Sequence, residues 1–270
     1  MEDTNFKTCD LSIEDIRHNL ENTQFSDIFV LETVNSTNSY AKHLAINGGK
    51  HGTIVIANHQ TSGRGRLGRD FFSPKDSGLY MSLVVRPDKT CISPSLLTIV
   101  AGVAVCRAIT SLTDKTPQIK WVNDIFLNGK KICGILAESG TSASSSTIDY
   151  VIVGIGLNVS TPSELFPGKL SDIAGSLFPK NISRSKIAAV IINEFEKIIL
   201  SNNVENLIEV YKSYSLILGK KISFTNNGET FTGIAGDINI EGNLIVELEN
   251  KEPVTLRSGE VSLGSGNFTD

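Results

Sequence analysis

Residues 60–69 read QTSGRGRLGR and lie between two apolar runs, 53–57 and 79–85, that are rich in β-branched and other large apolar side chains. Both runs are typical of buried strands. Three glycines alternate with three arginines in the connecting stretch. Glycine lets backbone N–H groups come close to a ligand, and arginine offers a fixed charge and a planar donor fork to carboxylate or phosphate. We therefore predict a mobile loop that closes over an anion.

The spacing of Gly63, Gly65 and Gly68 also matches G-x-G-x-x-G, the fingerprint of dinucleotide-binding folds. In those folds the loop runs directly into a helix. Here Pro74 and Gly78 interrupt any helix before the second apolar run begins. A Walker A phosphate loop is excluded too, because no Gly-Lys-Ser or Gly-Lys-Thr follows. The remaining alternative to an anion-binding loop is a surface loop with solvated arginines.

Strand and helix patterns alternate along the rest of the chain, and hairpins join several of the strands. Asn128-Gly129 is the strongest hairpin signal, and residues 183–200 show helical spacing of apolar side chains. Residues 118–122 are predicted as a strand that continues in extended form through 124–127. From about residue 219 short strands alternate with turns, as in a small antiparallel barrel. We predict an α+β fold rather than a doubly wound one.

The composition is that of a globular protein and excludes several functional classes. The 270 residues are 40% hydrophobic and carry a net charge of −4, so no bulk basic field indicates nucleic acid. The four cysteines show no zinc-site spacing, and the polar N-terminus does not resemble a signal peptide. The longest apolar run, 96–109, contains Thr98 and Arg107 and is too short to span a bilayer. We predict a cytoplasmic protein without a membrane span or a protein-held metal ion.

A second motif, KWVND at residues 120–124, precedes the hairpin turn. On a strand, alternate side chains of this motif point to the same side. The turn places Asp124 opposite Cys133 on the returning strand, so Lys131 lies within side-chain reach of Asp124. A lysine and an aspartate beside a pocket can supply a cation for a reacting carboxylate and a partner for an incoming amine. A cross-strand salt bridge on a solvated face is the alternative.

Two further motifs lie at predicted element boundaries. Asn35-Ser36-Thr37-Asn38 precedes a helix, where its hydroxyl, amide and N–H groups can bind a polar ligand; plain helix capping is the alternative. Gly154-Ile155-Gly156-Leu157-Asn158 follows the core of a predicted strand, and its glycines permit close approach by a planar ring. The alternative for this motif is a turn that ends the strand.

The order of these motifs resembles that of the biotin protein ligase family, the enzymes that attach biotin to carboxylase carrier domains. The resemblance extends over about residues 28–265. It rests on the segments 36–38, 60–69, 120–124, 131–136, 154–158 and 259–263. It implies the mixed sheet with helices shared by class II aminoacyl-tRNA synthetase cores and biotin synthetases, followed by a small SH3-like β-barrel.

The resemblance suggests a division of the chain into three parts. These are an N-terminal helical extension (1–27), a catalytic biotin- and ATP-binding domain (28–217) and a C-terminal SH3-like domain (218–270). Some bacterial members of the family carry an N-terminal helix-turn-helix domain and repress transcription. Because only about 27 residues precede the first predicted strand, we expect a short form without DNA-binding function.

The resemblance also implies a reaction in two steps. Biotin and ATP, with Mg²⁺ carried on the ATP phosphates, give biotinyl-5′-AMP and pyrophosphate; a lysine of a biotin carboxyl carrier protein then attacks the mixed anhydride. The alternatives are a lipoate or octanoate ligase or transferase of the same fold, and a non-catalytic biotin or nucleotide sensor. A monomer and a homodimer are both compatible with the sequence.

Carried over residue by residue, the resemblance assigns three catalytic residues, Arg66, Asp124 and Lys131. Lys131 stabilises charge as the adenylate forms, and Asp124 orients or deprotonates the acceptor lysine. The residues assigned to biotin are Ser36, Thr37, Asn38, Gln60, Gly63, Arg64, Gly65, Arg66, Lys131 and Gly134. The residues assigned to ATP and the adenylate are Arg66, Arg69, Phe71, Lys131 and Asn158. Many family members carry tryptophan where Phe71 stands, so an aromatic cover persists without an indole N–H.

Overall fold

The computed structural model describes residues 11–141, 147–226, 228–249 and 252–263. The first ten residues of the predicted N-terminal extension and the last seven of the predicted C-terminal domain lie outside these ranges. The helices are α1 Ile13–Asn19, α2 Thr37–Ile46, α3 Leu97–Leu112, α4 Leu170–Ile173, α5 Arg184–Ser201 and α6 Val204–Ser213. The strands are β1 Asp27–Val34, β2 Thr53–Gln60, β3 Gly78–Val85, β4 Gln118–Lys120, β5 Asp124–Leu127, β6 Lys130–Thr141, β7 Ile148–Asn158, β8 Lys221–Asn226, β9 Glu229–Ile238, β10 Leu244–Leu248, β11 Val254–Leu256 and β12 Val261–Leu263.

A seven-stranded mixed sheet forms the larger part of the molecule. Its strand order is β1-β2-β3-β7-β6-β5-β4. Only the β1–β2 pair is parallel among these neighbours, and α2 makes the crossover between the two strands. The remaining neighbours pair antiparallel, mostly through hairpins. The predicted α+β class with a mixed sheet is confirmed.

Both faces of this sheet are covered, so its central strands are buried on both sides. On β2, Val55 joins a small cluster under α2, whereas Ile54 and Ile56 point into the main core. The main core lies against α3, which packs on α5 and α6 as well as on the sheet. The helical segment Pro94–Leu112 is long and apolar enough to cross a membrane by length and composition alone, but it is 67% buried inside the protein. It is thus a core helix.

Two local predictions were wrong, and both concern the strands that carry the polar motifs. Residues 121–123 form a turn rather than extended chain, and β4 and β5 pair as a hairpin with Lys120 opposite Asp124. Strand β6 stabilises this turn. The Ile135 N–H donates to the Asn123 carbonyl at 2.9 Å, and the Asn123 side-chain amide donates to the Ile135 carbonyl at 3.1 Å. Asp124 pairs with Gly134 rather than with Cys133, because a β-bulge shifts the register of the next hairpin.

A five-stranded antiparallel sheet follows, with strand order β11-β10-β9-β8-β12. The predicted antiparallel pairing of short strands is confirmed, while the closure of the sheet into an SH3-like barrel stays a prediction. The sheet docks on the larger part through the turn after β4. Trp121, which is buried, donates its indole N–H to the Gly242 carbonyl at 3.0 Å, and a Cβ on Gly242 would overlap Ile99 of α3. The C-terminal sheet therefore sits beside the loop of residues 60–69.

Candidate active site

Three cavities border the loop that follows β2, and two of them have Lys131 in their walls. The first has a volume of about 50 Å³ and lies between this loop, the N-terminus of α2 and the middle of β6 and β7. The second has a volume of about 410 Å³ and lies between the same loop, the β4–β5 turn, the segment around α4 and β12. Gly65, Arg66, Phe71, Asn123 and Lys131 line both cavities. These five residues form the boundary between two adjoining sites.

The first cavity brings together nine of the ten residues that the sequence assigned to biotin, all except Gly63. A Cβ on Gly63 would overlap the Phe71 carbonyl and the Ser73 hydroxyl, so the loop leaves no room for a side chain at this position. Gly63 also accepts a hydrogen bond at 2.8 Å from the Phe71 N–H to its carbonyl. Gly63 thus lets the loop fold back on itself, and its assignment to biotin stays a prediction.

A hydrogen-bonded polar network surrounds the first cavity. Thr37 donates from its backbone N–H and its hydroxyl to Gln60 Oε1, at 2.8 and 3.1 Å. Ser82, a fully buried residue of β3, donates to Asn38 Oδ1 at 2.7 Å. Ser36 occupies the N-cap position of α2, but its side chain makes no capping hydrogen bond. The Ser36 hydroxyl therefore remains available to a polar ligand, against the plain capping interpretation.

Glycines of β6 and β7 make room for side chains that lie flat on the sheet. The motif of residues 154–158 belongs to the strand itself and does not form a turn after it. A Cβ on Gly154 would overlap Asn38 Oδ1, and a Cβ on Gly156 would lie 2.6 Å from the Phe71 ring. The planar ring that approaches this motif is thus the Phe71 side chain of the loop itself. Phe71 thereby separates the two cavities.

Each arginine of the loop contacts a different neighbour. Arg64 donates to Glu138 Oε1 at 2.6 Å, and Arg66 donates to Asn123 Oδ1 at 2.9 Å. Arg69 forms a two-pronged ion pair with Glu260, the residue before β12, at 2.5 and 2.8 Å. The loop thus contacts β6, the β4–β5 turn and the segment before β12, although Arg64 and Arg69 keep 45% and 67% of their side chains exposed.

The predicted Lys131–Asp124 pair is present at the boundary of the cavities. Lys131 Nζ lies 2.7 Å from Asp124 Oδ1, and the Asn123 amide donates to the same oxygen at 3.0 Å. Lys131 is about one third exposed and lines both cavities. A cation and a carboxylate thus stand in contact at the place where the two cavities meet, rather than on a solvated face.

Burial changes the acid–base behaviour of two neighbouring groups. Burial lowers the pKa of Lys120, which lines the second cavity, while the charges of Asp124 and Glu260 oppose that shift. Burial likewise raises the pKa of the Cys133 thiol far above its ordinary value. Since the thiolate is the nucleophilic form, Cys133 stays protonated and is structural.

All five residues that the sequence assigned to ATP and the adenylate line the second cavity. Asn158 stands out among them because it is 5% exposed and its Oδ1 has no hydrogen-bond partner in the protein. Its Nδ2 donates to the Gly175 carbonyl at 3.0 Å. A buried acceptor without a partner costs free energy, so it is expected to bind a donor of a ligand.

Sequence reasoning did not assign a role to several residues that complete the site. Asn123 lay inside a quoted motif, yet its contacts to Arg66 and Asp124 depend on the unexpected turn. Glu138 and Ser82 contact Asn38 across long sequence separations, for which no local pattern exists. Among the described residues no group of three or more histidine, cysteine, aspartate or glutamate side chains could hold a metal ion.

Comparison with known proteins first defines the class. Residues 30–158 match the Biotin/lipoate A/B protein ligase family, and residues 217–264 match the Biotin protein ligase C terminal domain. The bifunctional ligase/repressor BirA of Bacillus spizizenii is 36% identical, over 94% of this chain and 79% of that protein. The biotin–[acetyl-CoA-carboxylase] ligase of Mycobacterium tuberculosis is 31% identical, over 78% of each chain.

A solved structure supports the narrower assignment. The biotin protein ligase of Aquifex aeolicus in complex with biotin and ATP superposes with a TM-score of 0.73 and 28% identity, covering 88% of this chain and 98% of that one. The chain belongs to the biotin protein ligase family.

Proposed function

We propose that this protein activates biotin with ATP as biotinyl-5′-AMP and then transfers the biotinyl group to a lysine of a biotin carboxyl carrier protein. The observation that carries the proposal is the pair of adjoining cavities with Lys131 in their common wall. The names of the relatives support it, and so does the Aquifex aeolicus structure with biotin and ATP.

The first cavity suits the uncharged ureido ring of biotin. Ser36, Thr37, Asn38 and Gln60 present hydroxyl and amide groups there, and such groups can donate to and accept from a cyclic urea. A cavity of about 50 Å³ is much smaller than an ordinary ligand pocket of roughly 300 Å³ or more. The loop and the Phe71 ring must therefore move as the ligand enters, as expected of a loop that closes over its ligand.

The adenylate forms where the cavities meet. A carboxylate oxygen of biotin attacks the α-phosphorus of ATP, the bond to the bridging oxygen breaks, and pyrophosphate leaves. Lys131 and Arg66 stabilise the negative charge that develops on the carboxylate and the α-phosphate. Asn158 Oδ1, which lacks a protein partner, accepts a hydrogen bond from the exocyclic amine of adenine. The closed loop then keeps water away from the anhydride.

The second step uses Asp124. The amine of the acceptor lysine attacks the carbonyl carbon of the anhydride, an amide bond forms, and AMP leaves. The attacking amine must lose a proton, and Asp124 stands at the cavity boundary to orient the amine and accept it. Lys131 forms an ion pair with Asp124 at 2.7 Å and so orients the carboxylate for that step.

We infer that Mg²⁺ arrives with ATP rather than on a protein site. Three carboxylates line the second cavity, Asp70, Asp124 and Glu260, and the last two already pair with Lys131 and Arg69. Carboxylates that are paired with cations suit a metal ion poorly, whereas Mg²⁺ commonly keeps several waters and binds substrate phosphates.

Two rival functions remain distinguishable by chemistry. A lipoate or octanoate ligase has no need of a polar head site, because those acyl groups carry no ureido ring. The polar network of the first cavity therefore favours biotin. A non-catalytic sensor has no need of a cation at the reacting carboxylate, so the placement of Lys131 favours turnover.

The test is exchange of labelled pyrophosphate into ATP, with biotin, lipoate or octanoate as the acyl donor. Exchange with biotin alone is expected, followed by a mass increase of one biotinyl group on a carrier domain. Exchange that requires lipoate or octanoate would assign the rival ligase function. Tight binding of biotin without exchange would assign the sensor function.

The remaining expectations about the whole protein stay predictions. We infer a division at residues 27/28 and 217/218 and a cytoplasmic location. The matched C-terminal domain begins at residue 217, which supports the second boundary. By contrast, α1 packs against α5, so the described part of the N-terminal extension is joined to the catalytic domain.

A further inference from the structure

Glu138 lies on β6 beyond the last residue that pairs with β5, and its side chain is about one quarter exposed. Its two carboxylate oxygens contact two different parts of the site. Oε2 accepts from the Asn38 amide at 2.8 Å, and Oε1 accepts from the Arg64 guanidinium at 2.6 Å. One carboxylate thus joins the helix that carries the head site to the loop that covers it.

On the helix side, Glu138 completes the hydrogen bonding of Asn38. The Asn38 amide nitrogen donates to Glu138 and to the Leu136 carbonyl at 3.3 Å, while its oxygen accepts from Ser82. These partners fix which end of the amide points into the sheet, since donors and acceptors cannot exchange places. The orientation of this buried amide therefore depends on a carboxylate at residue 138.

On the loop side, Glu138 provides the one short contact of Arg64. This guanidinium also approaches the Ser39 hydroxyl, at the longer distance of 3.5 Å. A guanidinium carries five N–H groups, so several remain for an anionic ligand while Glu138 holds the group in place. Charge-assisted hydrogen bonds of this kind are short and strong, and they orient as well as attract.

We propose that Glu138 is a positioning residue for biotin, which acts through Arg64 and Asn38 and contacts no reacting atom. The inference rests on the proposed function of the first cavity. Glu138 couples closure of the loop to the formation of the head site, so its loss weakens biotin binding while the second cavity keeps its affinity for ATP. Misplacement of binding groups by about 1 Å costs up to about 100-fold, and we expect a change of about 10- to 100-fold here.

The test compares Glu138→Gln and Glu138→Ala with the unchanged protein in biotin-dependent pyrophosphate exchange. Glutamine keeps the shape but replaces one acceptor oxygen by a donor, so it cannot accept from both partners. Both variants should raise the KM for biotin about 10- to 100-fold and leave the KM for ATP within about twofold. The matched control is Asp149→Asn, which breaks the Arg86–Asp149 ion pair on the same sheet, away from both cavities; biotin KM should not change.

Two further readouts separate positioning from a general structural role. Trypsin should cleave after Arg64 and Arg66 faster in Glu138→Ala than in the unchanged protein, at an unchanged Tm, because the loop has lost an anchor. In an Arg64→Ala background, Glu138→Ala should raise the biotin KM less than it does alone, since coupled residues are not additive.

An unchanged biotin KM in Glu138→Ala would overturn the inference while leaving the proposed function intact. An equal rise in both KM values with a lowered Tm would also overturn it, in favour of a structural role. An unchanged protein that fails to exchange pyrophosphate with biotin would overturn the proposed function and this inference together.

Discussion

The two cavities of the site share a wall but differ in how they are prepared for a ligand. The first, of about 50 Å³, is small, and its polar side chains are already hydrogen-bonded to one another. The second, of about 410 Å³, is larger and is lined by Asn158, whose buried Oδ1 has no partner among the described residues. In the proposed function, the prearranged network selects the neutral biotin ring by shape and hydrogen bonds, whereas the charges and the unpaired acceptor of the second cavity bind the nucleotide. Biotin recognition and adenylate formation are thus proposed to occupy two cavities, and Lys131 lines both of them.

The largest expected effect comes from the residue that belongs to both cavities. Lys131→Ala should lower the rate of adenylate formation roughly 100- to 200-fold, about 3 kcal/mol, as when one oxyanion donor is removed. Pyrophosphate exchange measures this step. Lys130→Ala is the matched control, because that neighbouring lysine contacts the Ser171 carbonyl at an exposed position. Near-normal exchange in Lys131→Ala would show that Lys131 is structural and that the shared wall has no chemical role.

A Cβ added in the first cavity should weaken biotin binding and leave ATP binding unchanged. Gly154→Ala would overlap Asn38 Oδ1, and such overpacking typically costs about 1–3 kcal/mol. The KM for biotin should rise at least about tenfold, while the KM for ATP stays the same.

Gly156→Ala tests the same cavity with an overlap that is easier to relieve. Its Cβ would meet the Phe71 ring at 2.6 Å, and a ring on a loop can move aside more easily than a buried amide. Steady-state kinetics should therefore show a smaller rise in biotin KM than for Gly154→Ala. The reverse order would mean that Phe71, rather than the polar network, decides biotin affinity.

The second cavity is tested separately at Asn158. Asn158→Leu removes the unpaired acceptor, so the KM for ATP should rise about tenfold, within the 1–3 kcal/mol usual for an unmade hydrogen bond. Biotin binding by calorimetry should be unchanged. Stability should fall by only about 1 kcal/mol, since one hydrogen bond to the Gly175 carbonyl is lost. A rise in biotin Kd of the same size would contradict the separation of the two cavities.

The smallest effect is expected at the outer end of the loop. Glu260→Gln breaks an ion pair whose side chains are 67% and 46% exposed, and such pairs contribute only about 0–1 kcal/mol. The KM for ATP should rise about two- to threefold at low salt and approach that of the unchanged protein near 1 M salt, because salt screens exposed charges. A tenfold loss that persists at high salt would instead make the C-terminal sheet an integral part of the second cavity.

Local patterns were sufficient for most of the fold. The Ser12 side chain caps α1, accepting from the Asp15 N–H at 3.1 Å, as its S-x-x-D spacing predicts. Asn128 and Gly129 both adopt positive φ, as expected for a tight hairpin. The hairpin centred on Asn128-Gly129 was enough to place Lys131 within reach of Asp124. These features depend on neighbours in sequence or on pairing across one turn.

What the sequence missed depends on contacts between distant residues. The turn at 121–123 is held by Ile135 on another strand, and a β-bulge moved the partner of Asp124 by one residue. No local pattern distinguishes Glu138 from other polar residues at strand ends, because its contacts with Asn38 and Arg64 form only in the folded protein. Periodicity reports which face a residue occupies, but it carries no information about which distant residue shares that face.

The most direct test of the two-cavity account is a crystal structure of the protein with a hydrolysis-resistant analogue of biotinyl-5′-AMP. The account predicts the ureido ring in the first cavity among Ser36, Thr37 and Gln60, the adenine beside Asn158, and the linking phosphate analogue within hydrogen-bond distance of Lys131. A ligand whose ring and adenine both lie in the second cavity, with the first cavity still closed by Phe71, would contradict it.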